Sequence, residues 1–166
     1  FAVKSARDAW RIWHRSVAGT AEDLVRLLEV IWRLRLNGLH PDLAASTCLL
    51  YAEDGSGRAG LAQLGDGLIA RRHADGSIAI HPSKSFGLGT TQALGVPHTL
   101  GDWSLAMVPA LSPGEALVMA TDGVAEDLEL PRLGDLASWA IDELGTGHSP
   151  GRRLRTELQH WPVPGH

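Results

Sequence analysis

The stretch ALVMATDGVAEDL, residues 116 to 128, joins a run of apolar residues to an acid at the point where the run ends. Residues 116–121 are apolar at successive positions, which predicts a strand that is buried on both faces. Asp122 and Gly123 follow directly. Glycine permits a sharp exit from the strand and close approach by an ion, so Asp122 is a candidate metal ligand. The alternative interpretation is an ordinary Asp-Gly turn.

A second acid occupies the same kind of position earlier in the chain. In LAQLGDGLIARR, residues 61–72, Asp66 stands between Gly65 and Gly67 directly after an apolar run. Carboxylates and waters are the hard oxygen ligands that Mg²⁺ and Mn²⁺ prefer. Neither turn has a neighbouring histidine or cysteine, which disfavours zinc. The Asp-Gly pairs that begin at Asp54 and Asp75 are interpreted as structural turns.

The order of apolar patterns predicts the fold class. Helical spacing occupies the first third of the chain, with Thr20 and Asp23 as a capping box, and returns in the last third. Short β-forming runs separated by turn residues fill the middle. This order predicts an α+β fold, a four-layer α/β/β/α sandwich with two antiparallel sheets. The predicted strands are residues 46–52, 58–66, 67–72, 77–80, 103–110 and 116–121.

Length and composition narrow the class of protein. The 166 residues, 44% hydrophobic and 20% charged, suit a single domain over residues 1–166. A net charge of −4 without a basic run disfavours nucleic acid as a partner. No apolar run is long enough to predict a membrane span, and no secretory signal leads the chain, so we expect a cytoplasmic protein. A single cysteine, Cys48, excludes intramolecular disulfides.

Together these motifs resemble the type-2C metal-dependent protein serine/threonine phosphatases, in a bacterial variant. LSPGEALVMATDGVAEDL, residues 111–128, is similar to the family's Pro-Gly-Asp turn, strand and Ser-Asp-Gly motif. Glu115 replaces the family's acid after glycine, and Thr121 replaces its serine. Gly65 and Asp66 match the family's Gly-Asp turn, followed by Gly67 where a serine is usual.

The resemblance implies a function and a site. Asp122 would be a core metal ligand, and Asp66 would help to hold a more weakly bound third ion or its waters. The family binds two or three Mg²⁺ or Mn²⁺ ions, and a hydroxide between two of them attacks phosphorus in line, without a protein nucleophile. The implied substrate is phosphoserine or phosphothreonine in a protein partner, with a serine/threonine kinase as one candidate.

Two family motifs have no match in the chain. The family's first Asp-Gly metal turn follows an early strand, but here FAV at residues 1–3 leads into a helical pattern that contains Asp8. The family's last acid has no counterpart before His166. We expect that flexible segments with these ligands are missing, so that Val3–Lys4 is a join across an absent loop. The alternative is a catalytically silent domain of the same fold that binds a phosphoprotein or regulates a partner.

Two further motifs are weaker indications of function. GHSPG, residues 147–151, matches the nucleophile elbow of serine hydrolases, but the elbow needs a preceding strand, and the preceding segment is helical. Ser149 is therefore interpreted as a helix cap. GLGTTQALG, residues 87–95, lacks the lysine of a phosphate-binding loop and is interpreted as a loop or flap.

Overall fold

A computed structural model describes residues 1–16, 18–82, 91–144 and 149–160. The chain forms two compact units. The first contains Phe1–Asp66 and Pro82–Ala110, and the second contains Gly67–His81 and Leu111–His166. The single domain expected for residues 1–166 stays a prediction. Within the described ranges, no helix has the length and apolar character needed to cross a membrane.

Helices form at both ends of the chain, as predicted. The second helix begins at a complete capping box, in which Asp23 N–H donates to the Thr20 hydroxyl and Thr20 N–H donates to the Asp23 carboxylate. It ends at Asn37, which has the left-handed φ of 47° typical of helix C-termini. The α-helices are α1 (Ala2–Trp13), α2 (Ala21–Leu36), α3 (Asp122–Ala125), α4 (Leu133–Leu144) and α5 (Pro150–His160).

In the described ranges, six strands form two antiparallel sheets. In the first unit the strand order is β1-β2-β5, and in the second it is β4-β3-β6. Every pairing is antiparallel, so the predicted α+β class with two antiparallel sheets is confirmed. The strands are β1 (Cys48–Glu53), β2 (Arg58–Leu64), β3 (Leu68–Arg72), β4 (Ile78–Ile80), β5 (Ser104–Pro109) and β6 (Ala116–Ala120).

In the first unit, α1 and α2 pack on the β1-β2-β5 sheet. Trp13 of α1 and Trp32 of α2 are 1% and 3% exposed and supply much of the apolar surface of this core. Burial of each large apolar side chain contributes roughly 1.5–3 kcal/mol. The Trp13 indole N–H donates to the Thr20 carbonyl at 2.8 Å, which ties the end of α1 to the start of α2.

In the second unit, α4 packs beside β6, and α5 packs on α4. The buried cluster beneath α4 consists of Leu68, Ala70, Ala120, Leu128, Leu133 and Leu136. Arg72 of β3 donates to the Ser138 hydroxyl of α4 at 3.1 Å, so the helix is also held to the sheet by a polar contact.

The prediction that residues 116–121 are buried on both faces is wrong. Among the described strands, β6 pairs with β3 alone and forms one edge of its sheet. Val118 and Ala120 pack in the cluster below α4, whereas Met119 on the opposite face is 39% exposed. β3, which pairs with a strand on each of its two edges, is buried throughout its Leu68–Ala70 segment.

The prediction of a join at Val3–Lys4 is also wrong. α1 runs without interruption from Ala2 to Trp13, so residues 1–3 do not end a strand. Both the backbone N–H and the hydroxyl of Ser5 donate to the Phe1 carbonyl at 3.1 Å, which closes the first turn of the helix. Asp8 lies within this helix, as expected from its spacing.

The structure describes part of the GHSPG motif, residues 147–151, and part of the predicted loop 87–95. Helix α4 ends at Leu144 and α5 begins at Pro150, so Ser149 directly precedes a helix. Residues 147–148 lie outside the described ranges, as do Val17 and residues 161–166. Of the predicted loop 87–95, residues 87–90 are likewise outside, while Leu94 forms a two-bond bridge with Ser46.

Candidate functional site

Asp66 follows β2 at a turn that only glycine can make without strain. Gly65 has φ +86°, and a Cβ at this position would lie 2.3 Å from the Gln92 carbonyl oxygen. The Thr47 side chain closes the other side of the same space. The backbone that leads to Asp66 is therefore held by close packing as well as by its conformation.

The carboxylate of Asp66 is oriented by Thr91. The Thr91 hydroxyl donates to Asp66 Oδ2 at 2.8 Å, and the Asp66 side chain is half-buried. Sequence reasoning missed Thr91, because it lies 25 positions from Asp66 in a segment with no periodic pattern. One local signal was present: Gly65 and Gly67 on either side of the acid indicate a crowded turn that must pack against another segment.

Asp122 is the first residue of α3, directly after Thr121 at the end of β6. The Thr121 carbonyl accepts from the N–H groups of Val124 and Ala125, which turns the chain from strand into helix. Asp122 and Gly123 are exposed, and nothing lies within 4 Å of a Cβ built at Gly123. The predicted Asp-Gly turn is thus the start of a one-turn helix, with the Asp122 side chain open to an incoming ligand.

Glu115 occupies the position where the family has an acid after glycine. Its carboxylate already contacts nitrogen atoms of three neighbouring residues. Arg71 Nη2 lies 2.6 Å from Glu115 Oε2, His73 Nδ1 lies 3.0 Å from Oε1, and Ser112 N–H donates at 2.8 Å. The Arg71 hydrogen bond, supported by Ser112 and His73, lowers the pKa of Glu115 to about 2. This carboxylate fixes the turn before β6 to strand β3 and has no free role as a ligand.

The two candidate carboxylates meet one requirement of a divalent metal ion, the ligand chemistry, but not the other, the number of ligands. The carboxylates of Asp66 and Asp122 have the oxygen chemistry that Mg²⁺ and Mn²⁺ favour. Across residues 1–16, 18–82, 91–144 and 149–160, however, no three His, Cys, Asp or Glu side chains are grouped so that they could hold a metal ion. The described residues therefore fit a metal site in donor type but not in ligand number. We predict that the carboxylates of Asp66 and Asp122 meet at one site. Asp66 belongs to the first unit and Asp122 to the second, so this stays a prediction.

Comparisons with known proteins agree with the motifs. The sequence model described as "Protein phosphatase 2C" matches residues 1–161. Among solved structures, the chain is similar to "PppA, a key regulatory component of T6SS in Pseudomonas aeruginosa", with 21% identity and a TM-score of 0.58. That similarity covers 96% of this chain and 71% of the PppA chain. No curated protein matches. Because the family model spans nearly the whole sequence, the chain belongs to the protein phosphatase 2C family.

Proposed function

We propose that the protein hydrolyses phosphoserine or phosphothreonine in a protein partner, with Mg²⁺ or Mn²⁺ as cofactor. The observation that carries the proposal is the placement of Asp122: an exposed carboxylate at the end of β6, within a motif of the family to which the chain belongs. Exposure matters because a residue that contacts a metal or a phosphoprotein must be accessible from solvent.

Two side chains have roles in this proposal. Asp122 would be a core ligand, and Asp66 would help to hold a more weakly bound third ion or its waters. When bound, such ions neutralise phosphate charge and activate water for in-line attack. The Thr91 hydroxyl holds one oxygen of Asp66, which leaves Oδ1 available for the ion or its waters. Two or three ions are expected in the intact protein.

The substrate we propose is a cytoplasmic phosphoprotein of the kind that a serine/threonine kinase produces, with such a kinase itself as one candidate. PppA, which shares the fold, is named as a regulatory component of T6SS. By analogy, removal of phosphate from a partner would be a regulatory step here as well.

A second candidate function is a catalytically silent domain that binds a phosphoprotein or regulates a partner. One observation favours it: the described part of the chain brings no three potential ligands together. A silent domain would keep the fold and the phosphoprotein surface while lacking the ions that activate water. The two candidates therefore make opposite predictions for metal-dependent turnover.

The test is hydrolysis of p-nitrophenyl phosphate and of a phosphothreonine peptide by the purified protein, with Mn²⁺ and then with EDTA. A phosphatase releases phosphate from both substrates with Mn²⁺ and loses this activity in EDTA. A silent domain releases none under either condition, and binds the phosphothreonine peptide in preference to the unphosphorylated peptide. Turnover that EDTA leaves unchanged would contradict both candidates.

A further inference from the structure

The first unit contains a cavity of about 450 Å³ that the proposed function does not use. It lies beside the C-terminal half of α2, between the short 3₁₀ helix Pro41–Ala44 and the segment at residues 94–98. Its volume falls in the range of small-molecule sites, roughly 300–1,000 Å³. We call it the α2 cavity; the side chains that matter here are Glu29, Trp32, Arg33, His40, Leu94 and His98.

The acidic groups around the α2 cavity already have partners. Glu29 Oε1 lies 3.0 Å from His98 Nε2 and accepts from Trp103 Nε1 at 2.9 Å. The other nitrogen of His98, Nδ1, lies 2.7 Å from the Val96 carbonyl, so both ring nitrogens are engaged. Asp42 Oδ2 lies 3.4 Å from His40 Nδ1. Each carboxylate of this lining therefore already has a nitrogen neighbour, at Oε1 of Glu29 and at Oδ2 of Asp42.

Two donors of the same lining have no acceptor within the described part of the chain. Trp32 is 3% exposed, and its indole Nε1 has no hydrogen-bond partner among the residues that the structure describes. An unsatisfied buried N–H costs free energy, and native proteins rarely leave one without a reason. The next residue, Arg33, is exposed and forms no ion pair among the described residues, whereas Arg26, two turns earlier on α2, pairs with Glu22 at 2.6 Å.

We propose that the α2 cavity binds a small organic anion, a carboxylate with an apolar body. The Arg33 guanidinium would donate to the carboxylate, as arginine does in bidentate pairs. The Trp32 N–H would donate to a second acceptor atom once the side chains that cover it shift to admit the ligand. Leu94, Val96 and Pro97 provide apolar contacts for the rest of the molecule. The inference goes beyond the proposed phosphatase activity and does not depend on it.

The experiment is a titration of the ¹⁵N-labelled protein with sodium benzoate at constant ionic strength, with EDTA present. The chain has six tryptophans, and Trp32→Phe identifies the Trp32 indole resonance. We expect this resonance to move saturably with benzoate. Arg33→Gln should weaken binding at least about tenfold, because the charge-assisted hydrogen bonds are lost. Arg26→Gln is the matched control: it removes an arginine from the same helix but not from the cavity, and should leave binding unchanged.

Benzylamine, which has the same ring and the opposite charge, should bind at least about tenfold more weakly than benzoate. Three results would each overturn the proposal. These are a Trp32 resonance that does not move with benzoate up to about 10 mM, equal affinity for benzoate and benzylamine, and unchanged affinity in Arg33→Gln. Because no result requires phosphatase turnover, failure here and failure of the proposed function are distinguishable.

Discussion

The hydroxyl of Thr91 donates a hydrogen bond to the carboxylate of Asp66 across 2.8 Å, although 25 positions separate them. The next residue, Gln92, places its carbonyl oxygen against Gly65. One segment therefore fixes both the backbone and the side chain of the Gly65-Asp66 turn. A candidate ligand held in this way loses little conformational freedom when an ion or its waters bind.

Replacement of Gly65 by alanine should destabilise the protein more than the same change at Gly57. Both glycines have φ +86°, where alanine costs about 1–2 kcal/mol. At Gly65 the new Cβ would also lie 2.3 Å from the Gln92 oxygen, whereas at Gly57 nothing lies within 4 Å. We expect the clash to add roughly 1–3 kcal/mol, measured by urea denaturation. Equal losses in the two variants would show that the close packing around Gly65 is absent.

Asp122→Ala should lower Mn²⁺ affinity and the kcat/KM for p-nitrophenyl phosphate at least roughly 100-fold. Removal of a residue that only hydrogen-bonds to a metal ligand already lowers metal affinity or activity about 10–100-fold, and Asp122 is proposed to be a ligand itself. Mn²⁺ affinity is measured by calorimetry and turnover by phosphate release. Asp75→Ala is the control, because Asp75 is also exposed and precedes a glycine, but its carboxylate accepts from the N–H and hydroxyl of Ser77 in a local turn. Asp66→Ala should have the smaller effect expected of a weaker site. An Asp122→Ala protein as active as Asp75→Ala would exclude Asp122 as a ligand.

The Glu115 network should make stability depend on pH. Because the folded-state pKa of Glu115 is about 2, below its ordinary value of 4.5, its contribution is present above about pH 4.5 and is lost as the pH falls toward 2. Glu115→Gln removes this contribution. The urea midpoints of the parent and the variant should therefore differ most near pH 6 and approach each other toward pH 3.

Glu22→Gln provides the comparison for Glu115. Glu22 pairs with Arg26 on the surface of α2, with 46% of its side chain exposed. Exposed pairs of this kind contribute little to stability, so this variant should follow the parent across the same pH range. A difference in urea midpoint between Glu115→Gln and the parent that stays constant from pH 6 to pH 3 would argue against a pH-dependent contribution of Glu115 to stability.

Cys48 should be inert in the folded protein. It is buried in β1, and burial raises the pKa of its thiol from 9.0 to about 12. The thiolate is the reactive form, so at pH 8 the folded protein should hold on the order of a thousandfold less of it than the unfolded chain. Iodoacetamide labelling followed by mass spectrometry should detect modification in urea but not in buffer. Labelling at similar rates in both would show that the first unit opens readily.

Elements that depend on neighbours along the chain were predictable. The Thr20–Asp23 capping box and the apolar face of α2 are set by residues three and four positions apart, and α2 forms where they indicate. The six strands lie within about two residues of their predicted bounds, because Asp-Gly turns and β-branched or apolar runs mark them locally. Asp66 and Asp122 were found for the same reason: each follows a strand that the sequence makes evident.

Features that depend on distant partners were not predictable. An apolar run such as that of β6 suits a central strand or a half-exposed edge equally well, and only the pairing order β4-β3-β6 decides between them. The continuity of α1 through Val3 and Lys4 was missed because a family motif was expected there. Two partners of Glu115, Arg71 and His73, lie more than 40 positions away, so no local pattern indicates them.

The sequence by itself therefore determined the elements, the antiparallel α+β class, the family and the two candidate ligands, because each rests on short-range spacing or a contiguous motif. Only the tertiary structure decided that Thr91 orients Asp66, that β6 is an edge strand, and that Trp32 and Arg33 line one cavity with no acceptor from the described residues. The physical reason is that strand pairing, burial and hydrogen-bond satisfaction are set by groups far apart in the chain, whose contacts exist only after folding.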